Sequence, residues 1–446
     1  MMSVQPAASE HRDPHSFVLT PWARQRRPAP PRMVHGSGCY LIDDGGRRYL
    51  DLSAGLVAVN LGHGHPSVIK AIKAQADRLC YVSPALGNDV REVLAERLSA
   101  ISPWSEGCRT FFTTGGGEAN EDAVKMARMI TGRHKVLTAY RSFHGSAPGA
   151  GSLTGEDRRW ANEPGMPGVV RFFTPYPYRS PFGTNRDSDE LGAALAHLEL
   201  VLAHEGPHQV AALILEPFVG TNGVIAYPDG YLAGVRAITE RHGILLIFDE
   251  VMTGFGRLGD RFAATRFGVE PDIMTVAKGV ASAYVPLGGV MLREGLAQHF
   301  DERPLLCGHT YAGHPLSMAA GVAAIEALHG GGLFERGRTI ELWMRELLMP
   351  LLERHEVIGD VRGLGAFFGL EFVRDRATKQ PLVPWYGGVN VAMERLMAAL
   401  RAEGVCAFGR YNVLLIAPPL TITRDELEEG VTRLERALLG MPPLSD

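Results

Sequence analysis

The sequence predicts an α/β chain, with a mostly parallel sheet covered by helices and a smaller α+β part formed by both chain ends. Three observations carry that expectation. Short apolar runs alternate with helically patterned segments from Arg109 to Leu292. Several of those runs end on residues that carry chemistry, such as Asp249 and Lys278. Beyond about residue 315 the pattern turns helical, with later strands near 366–373 and 411–416 and a final helix from Asp425.

Taken in order, residues 1–32 are polar and proline-rich and read as an arm lying over something else. Cys39 to Asp51 reads as a β-hairpin, two apolar runs around Asp44, Gly45 and Gly46. Residues 66–80 and 88–101 have helical periodicity. Arg109–Phe112 is a short strand, Glu118–Thr131 a helix with Ala123, Met126, Ala127 and Ile130 on one face, and Lys135–Tyr140 the next strand. Then come Val210–Leu215, a helix near 229–242, Ile244–Phe248, Ile273–Val276 and Leu287–Leu292. The expected division is an arm and hairpin over 1–60, a large domain over 61–325 and a C-terminal small domain over 326–446.

Composition narrows the function classes. The chain has 446 residues, 46% of them hydrophobic and 21% charged, with a formal net charge of −4. Nothing in that balance pulls toward nucleic acid or an anionic membrane. No run approaches the roughly 18 apolar residues of a membrane span, and no signal peptide is visible. Five scattered cysteines, Cys39, Cys80, Cys108, Cys307 and Cys406, lack metal-type spacing and point to reduced thiols in a cytoplasmic protein. His63 and His65 resemble a short metal tract but have no further ligands, so no metal is expected. The 52 glycines, about 12% of the chain against a typical ~7%, imply many close backbone approaches.

The chemistry concentrates at the ends of the apolar runs. Asp249 closes a buried run, where a carboxylate is costly unless paired with a cation or a donor. Lys278 follows Pro271–Ala277 and precedes Gly279; desolvation there favours a neutral amine. Gly115, Gly116 and Gly117 lie between a strand and a helix, where backbone amides and the helix dipole suit an anion, although a tight turn would use the same residues. They match neither Walker A nor G-x-G-x-x-G. Phe143 and His144 follow the next strand, where an aromatic face can stack on a flat heterocycle. Thr310 lies in another glycine-containing turn. A lysine amine, an acid and a phosphate turn together are what pyridoxal 5'-phosphate (PLP) requires.

In this combination the sequence resembles the class III aminotransferases, from about Val34 to about Leu439. Phe248 to Arg257, then Pro271, Asp272, Ala277, Lys278 and Gly279, carry the likeness most strongly. The resemblance implies PLP fold type I, with a seven-stranded-type sheet, and ping-pong amino transfer from an amine donor to a keto acid acceptor. Lys278 would hold the cofactor as a Schiff base and move the proton. Asp249 would pair with the ring nitrogen. Gly116 and Gly117 would bind the phosphate, joined across a dimer interface by Thr310. Phe143 would stack on the ring, with Val251 behind it, His144 beside it and Glu216 supporting the site. A homodimer is expected, with a tetramer as the alternative.

Three departures from the family pattern bear on substrate. Met252 stands where a glutamine is common and cannot donate its hydrogen bond. Thr221 replaces a glutamate that in 2-oxoglutarate users neutralises a switching arginine. Val57 occupies a place that is often aromatic. The nearest likeness is to taurine–pyruvate aminotransferases and ω-amino acid relatives, acting on taurine-, β-alanine- or 4-aminobutyrate-like donors with pyruvate as acceptor. Arg410 is the candidate for a substrate carboxylate or sulfonate, and Trp22 for the pocket mouth. The rival readings are an aminomutase or racemase on the same fold, and a PLP-fold regulator without catalysis.

Overall fold

The computed structural model describes residues 17–25, 30–184, 186–386 and 390–440. Near the N-terminus, β1 (Met33–Ser37), β2 (Tyr40–Asp43) and β3 (Arg48–Asp51) form an antiparallel meander. Seven strands follow with helices between most of them: β4 (Cys108–Thr113), β5 (Lys135–Ala139), β6 (Val169–Phe172), β7 (Val210–Leu215), β8 (Leu245–Asp249), β9 (Ile273–Val276) and β10 (Gly288–Arg293). Six short strands come last: β11 (Ile358–Leu364), β12 (Phe367–Asp375), β13 (Gln380–Pro381), β14 (Val405–Cys406), β15 (Phe408–Arg410) and β16 (Val413–Ile416).

The large sheet has the order β4-β10-β9-β8-β7-β5-β6. Its pairings are parallel except those of β10, which runs antiparallel to β4 and β9. That reversal has a local cause. The link from β9 to β10, Ala277–Leu287, holds only a short 3-10 turn, whereas a parallel return needs a crossover of a dozen or more residues. Lys278 sits in this link. Strands β7 and β8 are buried at every position, as expected of a sheet covered on both faces. The order reverses direction between β7 and β5, and ligands bind such sheets at the carboxyl ends of the strands near that point.

The strand expectations hold with end shifts of one or two residues, and the last helix begins at Arg424, capped by Thr423 and Glu426 in a capping box. Sequence reading passed over β6 and the helix Asp187–Glu205. Strand β6 has only four residues at the sheet edge, too few for a clear alternation. The hairpin becomes a larger sheet because β14 adds parallel to β3, pairing Val405 with Leu50 and Cys406 with Asp51. Among the described residues no single helix is long and apolar enough to cross a membrane.

One buried cation ties distant segments together. Arg257 is fully buried, donating to Asn60 Oδ1 (2.8 Å) and to the carbonyls of Ala366 (3.0 Å) and Pro418 (2.6 Å). Burial pulls its pKa down to about 9. Arg257→Met should strand three buried acceptors and lower unfolding free energy by about 3 kcal/mol. A urea midpoint equal to wild type would contradict this role.

Candidate active site

The carboxyl ends of β4, β5, β7, β8 and β9 bring one group of side chains together. Asp249 closes β8 and is buried. Its Oδ2 accepts His144 Nδ1 (2.8 Å) and Asn120 Nδ2 (2.8 Å), and its Oδ1 accepts the Val251 amide (3.0 Å). Facing a carboxylate, His144 carries its proton on Nδ1; its Nε2 is buried without a partner.

Lys278 begins the turn after β9 with φ at 42°, and Ser282 and Ala283 are also left-handed. Strained backbone of this kind concentrates at functional sites. Gly279 is required beside it, because a Cβ there would meet Asn60 Nδ2 at 2.8 Å and Phe255 Cβ at 2.9 Å. Burial pulls the Lys278 pKa down to about 8, partly opposed by Asp249 and Glu216. A substantial fraction of the amine is therefore neutral near pH 8.

Gly115 caps the helix Gly116–Thr131, whose first-turn amides have no helix carbonyl to bond. Glu118 accepts the Thr114 amide and hydroxyl (both 2.8 Å), which shapes the turn. A Cβ on Gly116 would meet Val251 Cγ2 at 2.8 Å, so only glycine lets the turn approach Val251. Glu216, buried, accepts the Phe143 amide (2.9 Å) and the Gly220 amide (2.9 Å). Burial pushes its pKa up.

Phe143 meets Trp22 edge-on at 6.4 Å. The structure adds Arg158, which sequence reading missed. Its guanidinium lies 3.7 Å from the Phe143 ring centroid and 5.1 Å from that of Trp22. Arg158 pairs with buried Glu156 and donates to Thr221 Oγ1 (3.3 Å). Burial, aided by Arg410, brings its pKa down to about 9. No periodicity marks it; it stands in the short 3-10 turn Asp157–Asn162. Asn120 was also missed, because a lone amide in a helix gives no sequence signal.

Other expected residues fall outside this group. Arg410 is engaged by Asp157 (2.9 Å), Glu156 (3.4 Å) and the Tyr411 hydroxyl (2.9 Å). Val57 is buried in an apolar cluster with Phe218, Met252 and Leu415. Thr310 is exposed, and its carbonyl accepts the Tyr81 hydroxyl (3.0 Å). His63 pairs with Asp51 (2.9 Å), and the described residues hold no group of three or more His, Cys, Asp or Glu placed to take a metal.

This geometry agrees with the comparisons to known proteins. The family model for "Aminotransferase class-III" matches residues 22–438. The chain belongs to the class III aminotransferases. The aminotransferase is 36% identical to a leucine/methionine racemase from Thermococcus litoralis, over 92% of this chain and 91% of the other. It is 33% identical to a taurine–pyruvate aminotransferase from Bilophila wadsworthia, over 92% of each chain. Among solved structures, taurine:2-oxoglutarate aminotransferase from Bifidobacterium kashiwanohense, in complex with PLP and glutamate, superimposes with a TM-score of 0.91. That pair shares 40% identity and covers 95% of each chain. The fold is PLP fold type I and the cofactor is PLP.

The residues present suit that cofactor. A buried carboxylate can take a cation, an amine with a lowered pKa stands near it, and a glycine turn offers amides to an anion. When bound, PLP supplies an electron sink for carbanion chemistry. Since only the neutral amine attacks a carbonyl, PLP attachment to the apoprotein should speed up as pH rises through about 8. Stopped-flow absorbance over pH 6–10 measures it; a flat profile would contradict the burial effect. Gly116→Ala should push Val251 aside and weaken PLP affinity by about tenfold or more, read by equilibrium titration of the apoprotein.

Proposed function

We propose that this enzyme moves the amino group of a short ω-amino acid, bearing a sulfonate or carboxylate at its far end, to pyruvate. The observation that carries this reading is the placement of Arg158. It lies against Phe143 and Trp22, close enough to Lys278 to influence its charge. A guanidinium offers two parallel N–H donors to an anion's oxygens, and a half-buried site strengthens that contact. Similarity to taurine aminotransferases supports an anionic donor.

In this reading Lys278 Nζ takes the proton from the amine-bearing carbon and later returns one. Asp249 holds positive charge at the ring nitrogen, and Phe143 and Val251 enclose the ring. Gly116 and Gly117 hold the phosphate through their amides. Arg158 and Trp22 grip the donor's acidic end, while Val57 and Met252 set the apolar wall. Arg410 steadies the Glu156–Asp157 loop that carries Arg158. Pyruvate is favoured as acceptor because Thr221 provides no carboxylate to neutralise a second arginine. The working form is a homodimer in which Thr310 of one protomer completes the phosphate site of the other. The exposed rings of Tyr81 and Tyr311 beside Thr310 support that contact.

A second reading, racemisation of an amino acid, is favoured by the racemase relative. Amino transfer consumes a keto acid; racemisation needs none. Incubation of holoenzyme with single amino acids, with and without acceptor, separates the two.

Lys278→Ala should abolish both activities; full retained activity would sink either reading. Arg158→Leu should raise KM for taurine or β-alanine by about tenfold to a hundredfold. The same variant should leave an aryl amine, which has no anionic group, nearly unaffected. Equal losses for both donors would contradict the assignment of Arg158. In an acceptor panel pyruvate should exceed 2-oxoglutarate; the reverse order would overturn the inference from Thr221.

A further inference from the structure

We infer that Asn120 is a positioning residue that fixes the Asp249 carboxylate against the ring nitrogen and couples it to the phosphate turn. The inference rests on the identity of the cofactor, not on the choice of donor or acceptor. Asn120 sits in the first turns of the helix that Gly116 and Gly117 begin, and its side chain is 1% exposed. An amide there is a poor choice for helix stability and for burial alone, since asparagine forms helices less readily than alanine or leucine and a buried amide is costly unless bonded.

Its bonds explain its presence. Nδ2 donates to Asp249 Oδ2 (2.8 Å) and to the His144 carbonyl (2.8 Å), while Oδ1 accepts the Thr275 hydroxyl (2.6 Å). One side chain therefore joins four elements: its own helix, the turn after β5, the end of β8 and β9. Thr275 is in register with Asp249, and its carbonyl takes the Glu250 amide (2.9 Å). The Asp249 carboxylate is thus held by three donors from three segments: Asn120, His144 and the Val251 amide. Rotation about its terminal bond would break at least one of them.

The consequence concerns the cofactor directly. The phosphate end is set by Gly116 and Gly117, and the ring-nitrogen end by Asp249. Asn120 is a rigid link between these two anchors, one helical turn from the glycines. It also supplies a neutral donor to the carboxylate without adding a competing cation.

The test compares Asn120→Leu with wild type, in the absence of amine donor and keto acid. Two quantities are read: the PLP dissociation constant and the 15N signal of the ring nitrogen in labelled PLP. Asn120→Leu should weaken PLP by about tenfold and shift the ring-nitrogen signal. In an Asp249→Ala background the same substitution should cost much less, because its main acceptor is gone. A folded Asn120→Leu protein with PLP affinity within twofold of wild type and an unmoved signal would overturn the inference. So would an undiminished effect in the Asp249→Ala background. If Asn120→Leu does not fold, the isosteric Thr275→Val decides: it frees the amide's other end and should shift the ring-nitrogen signal in the same direction. An unmoved signal there would equally overturn it. Loss of transamination alone bears on the proposed reaction and leaves these readouts untouched.

Discussion

A buried carboxylate at the end of a central strand is the constraint around which this molecule is arranged. Asp249 cannot be left alone in the interior, because an unpaired anion there is expensive. Three hydrogen-bond donors surround it, and no arginine or lysine is hydrogen-bonded to it among the described residues. Donors of that kind hold the charge in place without cancelling it. In the proposed function this anion meets an incoming cation, and the protonated ring nitrogen of PLP is a cation of the right type.

The sheet topology then decides what stands near that anion. Parallel strands present their carboxyl ends on one side, so Glu216 after β7, Asp249 on β8 and Lys278 after β9 share an edge. The short link into β10 adds the decisive twist. It cannot make a crossover, so it turns back at once, and the turn carries Lys278 in a left-handed conformation. Burial of the amine, rather than a neighbouring cation, dominates its lowered pKa. Anion attraction from Asp249 and Glu216 keeps that shift moderate.

The proposed grip on substrate belongs to a different layer, Gly155 and Glu156 with the short 3-10 turn Asp157–Asn162 that follows. Two acids and two arginines meet there, with Arg158 turned toward Phe143 and Arg410 turned toward Asp157. Both arginines suit an anionic substrate by type. Both pair with Glu156, but Arg410 is held further by Asp157 and the Tyr411 hydroxyl, whereas Arg158 lies over the Phe143 ring and reaches Thr221. The contrast shows how an arginine's role depends on its neighbours more than on its own chemistry.

The sequence by itself determined the α/β class and most strand positions, and it marked the site candidates that local context announces. Lys278 and Asp249 stand at the ends of apolar runs, and the glycine turn stands between strand and helix, so their neighbours along the chain announce them. Only the tertiary structure decided Asn120 and Arg158. Asn120 meets Asp249 across 129 residues, and Arg410 meets Asp157 across 253. Hydrogen bonds of that span leave no periodic trace, because a polar side chain on a helix or loop reads the same whether it faces water or a buried acid. The exposure of Thr310 was likewise settled by packing. The physical reason is common to all of them: backbone preference and apolar patterning are local, while the pairing of buried charge is set by which segments the fold brings together.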